Sequence, residues 1–97
     1  MSNVKKIICI DYDKTYTVMP ELINCIIDKS KELSYTVILA TMRYSEETCD
    51  ELESLKNKLD GVYFTCREAK MLFLNKLDIY PDLWVDDNPA WLFTSSI

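Results

Sequence analysis

The chain has 97 residues, 48% of them hydrophobic and 28% charged, which supports one small core but not two, so a single domain over residues 1–97 is expected. No apolar run approaches the roughly 18 residues of a membrane-spanning helix, and a net charge of −5 argues against general attraction to nucleic-acid phosphate. The absence of histidine removes Ser-His and Cys-His nucleophiles and any His-containing zinc site, so chemistry must come from Asp, Glu, Lys, Tyr or Cys.

The first residues, Met1 to Lys6, lead straight into an apolar run that Asp11 stops too early for a signal peptide. Cys9, Cys25, Cys49 and Cys66 are spaced singly, which suits reduced thiols in a cytoplasmic protein. Residues 6–10 read as a strand buried on both faces, because the apolar residues do not alternate with polar ones. Residues 13–19 are polar and read as a loop or short irregular hairpin. Pro20 then opens a helix, with Leu22, Ile23, Ile26, Ile27 and Leu33 at helical spacing, ending near Ser34.

Tyr35 to Ala40 is a second buried strand, followed by a loop from Thr41 to Tyr44. Ser45 reads as the N-cap of a helix reaching about Leu59, with Glu46 and Glu47 in an acidic first turn and Asp60-Gly61 as its breaker. Val62 to Thr65 is a third strand, Arg67 to Leu77 a helix, Pro81-Asp82 a turn, and Leu83 to Val85 a fourth strand that delivers Asp86 and Asp87 before Asn88-Pro89 ends it. Strands alternating with helices predict a parallel sheet. We expect a three-layer α/β/α sandwich of the Rossmann-like kind with about four strands in the order 4-1-2-3. Trp84, Trp91 and Phe93 are expected in the core, with a lid or an interface between copies as the alternative.

In such sheets function gathers at the C-terminal ends of the strands. Asp11 and Asp13 follow the first strand, Thr41 and Arg43 the second, Asp86 and Asp87 the fourth. If the first and fourth strands are neighbours, as many as four carboxylates converge, and like charges about 4 Å apart repel by roughly 4 kcal/mol per pair at an effective dielectric near 20. A hard divalent cation, Mg²⁺ above all, would relieve that. Each residue also has a plainer reading: Asp11, Asp13, Asp86 and Asp87 as turn residues, Thr41 as a loop hydroxyl, Arg43 as a surface salt-bridge partner, and Lys70, like Lys76, as a solvated lysine.

Ile7-Ile-Cys-Ile-Asp11-Tyr-Asp13-Lys-Thr15 resembles the first motif of the haloacid-dehalogenase (HAD) superfamily, four hydrophobic residues and then Asp-x-Asp-x-Thr. Val37-Ile-Leu-Ala-Thr41 is similar to its second motif, Lys70 to its third-motif lysine, and Leu83-Trp-Val-Asp86-Asp87-Asn88 to its fourth. The resemblance implies a phosphatase in which Asp11 attacks phosphorus and Asp13 acts as general acid, then base. It further implies that Thr41 binds the transferring phosphoryl group and that Lys70 neutralises nucleophile and phosphate. Asp86, with Asp87, would hold Mg²⁺ together with Asp11 and the backbone carbonyl of Asp13. Arg43 and Lys14 are candidates for gripping substrate phosphate; Lys14 stands where many members have glycine. The stretches 13–20 and 65–70 are too short for the family's cap insertions, so an open site is expected. That suits a phosphate on a macromolecule, a small phosphate ester, or a site completed by a second copy. The competing expectation is a HAD-shaped binding or regulatory module with little or no turnover.

Overall fold

A computed structural model describes residues 6–96; the expectation about a leader at residues 1–5 lies outside them. Four strands, β1 (Ile7–Ile10), β2 (Thr36–Thr41), β3 (Gly61–Phe64) and β4 (Leu83–Val85), pair in parallel in the order β3-β2-β1-β4, which is 4-1-2-3 counted from the other edge. Ile10 lies beside Leu39 on one side and Val85 on the other, so the continuous apolar runs are the buried central strands. The chain steps outward from β1 to β3 and then crosses back to β4, which puts the switch in direction between β1 and β4. Crevices in parallel sheets open at such a switch, outside the carboxyl ends of the strands.

Alternation along the strands sends side chains to two clusters. Ile8, Ile10, Val37 and Leu39 pack with Ile23 and Ile27 of α1 (Pro20–Glu32) and with Leu52 and Leu55 of α2 (Asp50–Lys58). Cys9, Ile38 and Ala40 pack with Leu74 of α3 (Lys70–Asn75), and Trp84 leans on them. Pro20 sits in the first turn of α1, where its missing N–H costs nothing. Truncating Ile27, which is fully buried, to alanine would cost about 2–5 kcal/mol. None of the described helices is long and apolar enough to cross a membrane.

Several local expectations change. The expected loop after Asp11 is a tight irregular turn, non-helical at Asp13 and Lys14 and coiled through Thr15 and Tyr16, rather than a hairpin. Ser45 does not cap a helix: it begins a 3₁₀ turn (Ser45–Glu47) capped by Tyr44 and Glu47, and α2 starts only at Asp50. α2 ends at Lys58, close to the expected Leu59, and Gly61 already begins β3, where a β-carbon would meet the Tyr63 ring at 2.8 Å; Asp60 before it bonds both ways to Val37 of β2. The expected helix from Arg67 starts at Lys70, because Cys66 and Arg67 take left-handed backbone (φ 55° and 70°) while their N–H groups donate to Arg43 and Met42. Phe93 is 70% exposed and Trp91 36%, so neither is a core residue; Leu92 between them is the buried one.

Candidate functional site

Asp11 leaves β1 still hydrogen-bonded to β4, its N–H donating to the Val85 carbonyl at 2.9 Å. That bond fixes the Asp11 carboxylate over the gap between the two strands, where it is only 7% exposed. Lys70, at the first turn of α3 and 2% exposed, donates from Nζ to Asp11 Oδ1 and to Asp86 Oδ2, each at 2.6 Å. An ammonium carried so far from water is tolerable because both partners are carboxylates at contact distance.

Thr15 completes the frame. Its Oγ1 accepts the Asp87 N–H at 3.0 Å, lies 3.0 Å from Asp11 Oδ2 and 3.3 Å from Asp87 Oδ1, and has one proton to give between them. Both oxygens of Asp11 are therefore held, one by Lys70 and one by Thr15. The second oxygen of Asp86 accepts the Asn88 N–H at 3.0 Å. Oxygen atoms of Asp11, Asp86 and Asp87 lie within 4.8 Å of one another. This is an all-oxygen set of the kind that suits Mg²⁺, with one oxygen each of Asp11 and Asp86 already on Lys70.

Asp13 stands apart from that set. Its carboxylate takes two parallel hydrogen bonds from Arg43, Nε to Oδ2 at 3.0 Å and Nη2 to Oδ1 at 2.8 Å. Arg43 is itself held by the Glu47 carbonyl at 2.7 Å and lies over the Tyr12 ring. Of the expected metal-binding residues, Asp11, Asp86 and Asp87 come together through their side chains, while the Asp13 side chain goes to Arg43. Lys14 makes the turn that follows with φ 63°, in the left-handed region, at a cost of about 1–2 kcal/mol that glycine would not incur. Its N–H donates to Thr17 Oγ1 at 2.9 Å, which offsets part of that cost.

Asp11, Asp13, Lys14, Thr41, Arg43, Lys70 and Asp87 all line one cavity of about 300 Å³ at the carboxyl ends of the strands. Thr41 is buried at the end of β2, its Oγ1 accepting the Arg43 N–H at 3.3 Å. Arg67 and Ser96, not singled out as site residues from the sequence, also reach this cavity, as do Asn88, read there as a motif residue, and Trp91, read as a core aromatic. Thr15 was legible only as part of a motif; its role as the link between Asp11 and Asp87 depends on the fold. Arg67 is carried there by the left-handed turn after β3, which no side-chain pattern announces.

Burial pushes the Asp11 carboxyl up to about 6, against the opposing pull of Lys70. Burial also opposes the Lys70 charge, but Asp11 and Asp86 more than offset it and hold the ammonium above its ordinary range. At neutral pH the site is thus a buried carboxylate and a buried ammonium in contact. Cys9, beneath the sheet, is pushed up to about 12 by burial and is an inert core thiol. The four cysteines are free.

Chemically, the arrangement presents a rigid carboxylate at the floor of a cavity, a lysine that neutralises it, a hydroxyl at Thr41, and cationic side chains above. Comparison of the chain with protein-family models, with curated proteins and with solved structures finds no match.

Proposed function

We propose that the chain is a Mg²⁺-dependent phosphomonoester hydrolase acting through an aspartyl phosphate on Asp11, built as a capless three-layer sandwich. The observation that carries this reading is Lys70 Nζ at 2.6 Å from both Asp11 and Asp86 on the wall of a cavity shared with Thr41. The four stretches that resemble HAD motifs meet there. Two packed clusters, one with α1 and α2 and one with α3, support the layered description.

In this reading the Asp11 oxygen attacks phosphorus as the P–O bond to the leaving alcohol breaks. Lys70 keeps Asp11 oriented and offsets charge as the phosphoryl group arrives, and the Thr41 hydroxyl donates to a phosphoryl oxygen. Asp13 supplies the proton to the leaving oxygen and then takes one from the water that releases phosphate. For that, Arg43 must loosen its hold on Asp13, and the substrate's phosphoryl oxygens are natural competitors for the guanidinium. Asp11, Asp86 and Asp87 would hold Mg²⁺, which when bound would offset negative charge on the phosphoryl oxygens. The substrate is a phosphate ester, small or on a macromolecule, reaching an uncovered site; a second copy of the chain remains a candidate for completing it. The protein works in the cytoplasm in this reading.

One observation favours a second reading, a binding or regulatory module that turns over little: the Asp13 carboxylate is fully engaged by Arg43. Phosphate release from a panel of aryl phosphate, nucleotides, phosphopeptides and phosphorylated nucleic-acid ends, with and without Mg²⁺, separates the two. Release that needs Mg²⁺ and is lost in Asp11→Asn supports the hydrolase; silence from folded, Mg²⁺-binding protein supports the module.

A further inference from the structure

The geometry points to a nucleoside monophosphate group, free or at a strand end, as the ligand of this cavity, with its base laid on Trp91; this rests on the phosphohydrolase reading above. Trp91 lies only four residues beyond Asp87, in a 3₁₀ turn (Pro89–Leu92) that continues directly from the acidic pair. Asn88 fixes that turn at both ends of its own residue, its carbonyl accepting the Trp91 N–H at 3.1 Å and its Oδ1 the Ala90 N–H at 3.2 Å. Leu92, buried, pins the next position. The backbone that carries the indole is therefore a short, anchored segment, and Trp91 is left 36% exposed on the cavity wall. A large aromatic ring normally gains by burial, so one left partly open on the wall of this cavity is a platform without its partner.

The cavity itself calls for more than a phosphoryl group. Its volume, about 300 Å³, is at the lower end of the range for small-molecule sites and well beyond what phosphate alone would fill. Its lining carries Lys14, Arg43, Arg67 and Lys70 beside Asp11, Asp13 and Asp87, so cations slightly outnumber carboxylates here on a chain whose net charge is −5. Among the described residues Lys14 is in no ion pair, whereas Arg43 is on Asp13 and Arg67 on Glu47. A cation cluster for phosphate next to an aromatic face is the combination that recognises a nucleotide, because every base offers a π-face for stacking. Asn88 and Ser96 add polar groups on the same walls, which match the hydroxyls of a sugar or the edge of a base. A phosphotyrosine side chain would also offer a ring, but once esterified it has no polar edge for those groups.

The test uses the full chain carrying Asp11→Asn with Mg²⁺ present, so that ligand binds without turnover, and follows tryptophan fluorescence. Adenosine monophosphate and a 5′-phosphorylated oligonucleotide are titrated beside glycerol phosphate and a phosphotyrosine peptide. We expect saturable quenching by the nucleotide ligands that disappears in the Asp11→Asn/Trp91→Phe double variant, in which Trp84 is the remaining tryptophan; the stronger of the two nucleotide ligands identifies free nucleotide or strand end as the source. In otherwise wild-type protein, Trp91→Ala should lower kcat/KM for the preferred nucleotide between about five- and a hundredfold. The loss on glycerol phosphate should be markedly smaller, and Trp91→Phe should recover most of it. Absence of saturable quenching by either nucleotide, quenching that survives Trp91→Phe, quenching by the phosphotyrosine peptide alone, or equal loss on glycerol phosphate would each overturn the inference. Quenching at Trp91 with no phosphate released by the wild type from any substrate would retain the nucleotide site and refute the hydrolase.

Discussion

Replacing Asp11 by asparagine removes the proposed nucleophile, yet in metal-free protein at neutral pH it should make the fold more stable. Asp11 is raised from an ordinary 3.8 to about 6, so between those values the folded state keeps a proton that the unfolded state has released. Stability therefore falls as pH rises from about 4 to about 6 and stays at the lower level above that. A displacement of roughly two pH units, at about 1.4 kcal/mol each, sets the scale at about 3 kcal/mol. Asparagine has the shape of the neutral acid and keeps an oxygen for Lys70, which retains Asp86 as its charged partner. The variant should be about 1–3 kcal/mol more stable than wild type at pH 7.5 in a chelator, and the two should converge near pH 4. Urea denaturation of both proteins across this pH range measures it. A variant equal to or less stable than wild type at pH 7.5 would refute the argument, because it would mean that the ion pair with Lys70 outweighs the burial of Asp11.

The opposite result is expected at Lys70: Lys70→Gln leaves Asp11, Asp86 and Asp87 without their ammonium and should cost about 3–5 kcal/mol in chelator, read by the same denaturation. Thr15→Val keeps the volume but strands the Asp87 N–H and one oxygen of Asp11, a loss of about 1–3 kcal/mol that calorimetric melting would detect; an unchanged melting temperature would show that water replaces the hydroxyl. Mg²⁺ should raise the melting temperature of the wild type at pH 7.5, and the rise should shrink below about pH 6, where a proton on Asp11 competes with the ion. A Mg²⁺ response that is constant from pH 5 to 8 would exclude Asp11 as a ligand.

What could be read in advance follows from how each feature is encoded. Ile7–Ile10 and Thr36–Thr41 announce themselves because strands covered on both faces are continuous apolar runs, and such a run ended by Asp11 or Thr41 also announces where the sheet opens. Arg67 and Cys66 give no comparable signal: left-handed backbone at residues with β-carbons is imposed by bonds to Met42 and Arg43, which are distant in sequence, and so the start of α3 was placed too early. The pairing of Asp13 with Arg43 is likewise a matter of spatial approach across 30 positions of chain. Lys70 could be told from Lys76 only by resemblance. In the fold one is buried between carboxylates and the other lies exposed beside Glu68, a difference that helical spacing alone does not encode. Trp91 and Phe93 are not core residues because aromatic character predicts burial only on average, and Leu92 takes the inward position between them.

The charges of the site form a sequence of requirements. Asp11, Asp86 and Asp87 with Lys70 leave a formal charge of minus two once Asp11 is ionised, and Asp13 with Arg43 cancels itself. The protein's own lysine thus removes enough repulsion for the cluster to fold but too little for a phosphate dianion to approach it. A dication would bring the balance to zero, and in the proposed hydrolase a phosphate would then meet Lys14, Arg43 and Arg67 with no net repulsion beneath it. In the proposed reaction the order matters for Asp13, whose carboxylate would be freed when a phosphoryl group takes Arg43 from it. On the hydrolase reading, a substrate without a phosphate would leave that pair closed, so the same two side chains would restrict the site to phosphorylated ligands.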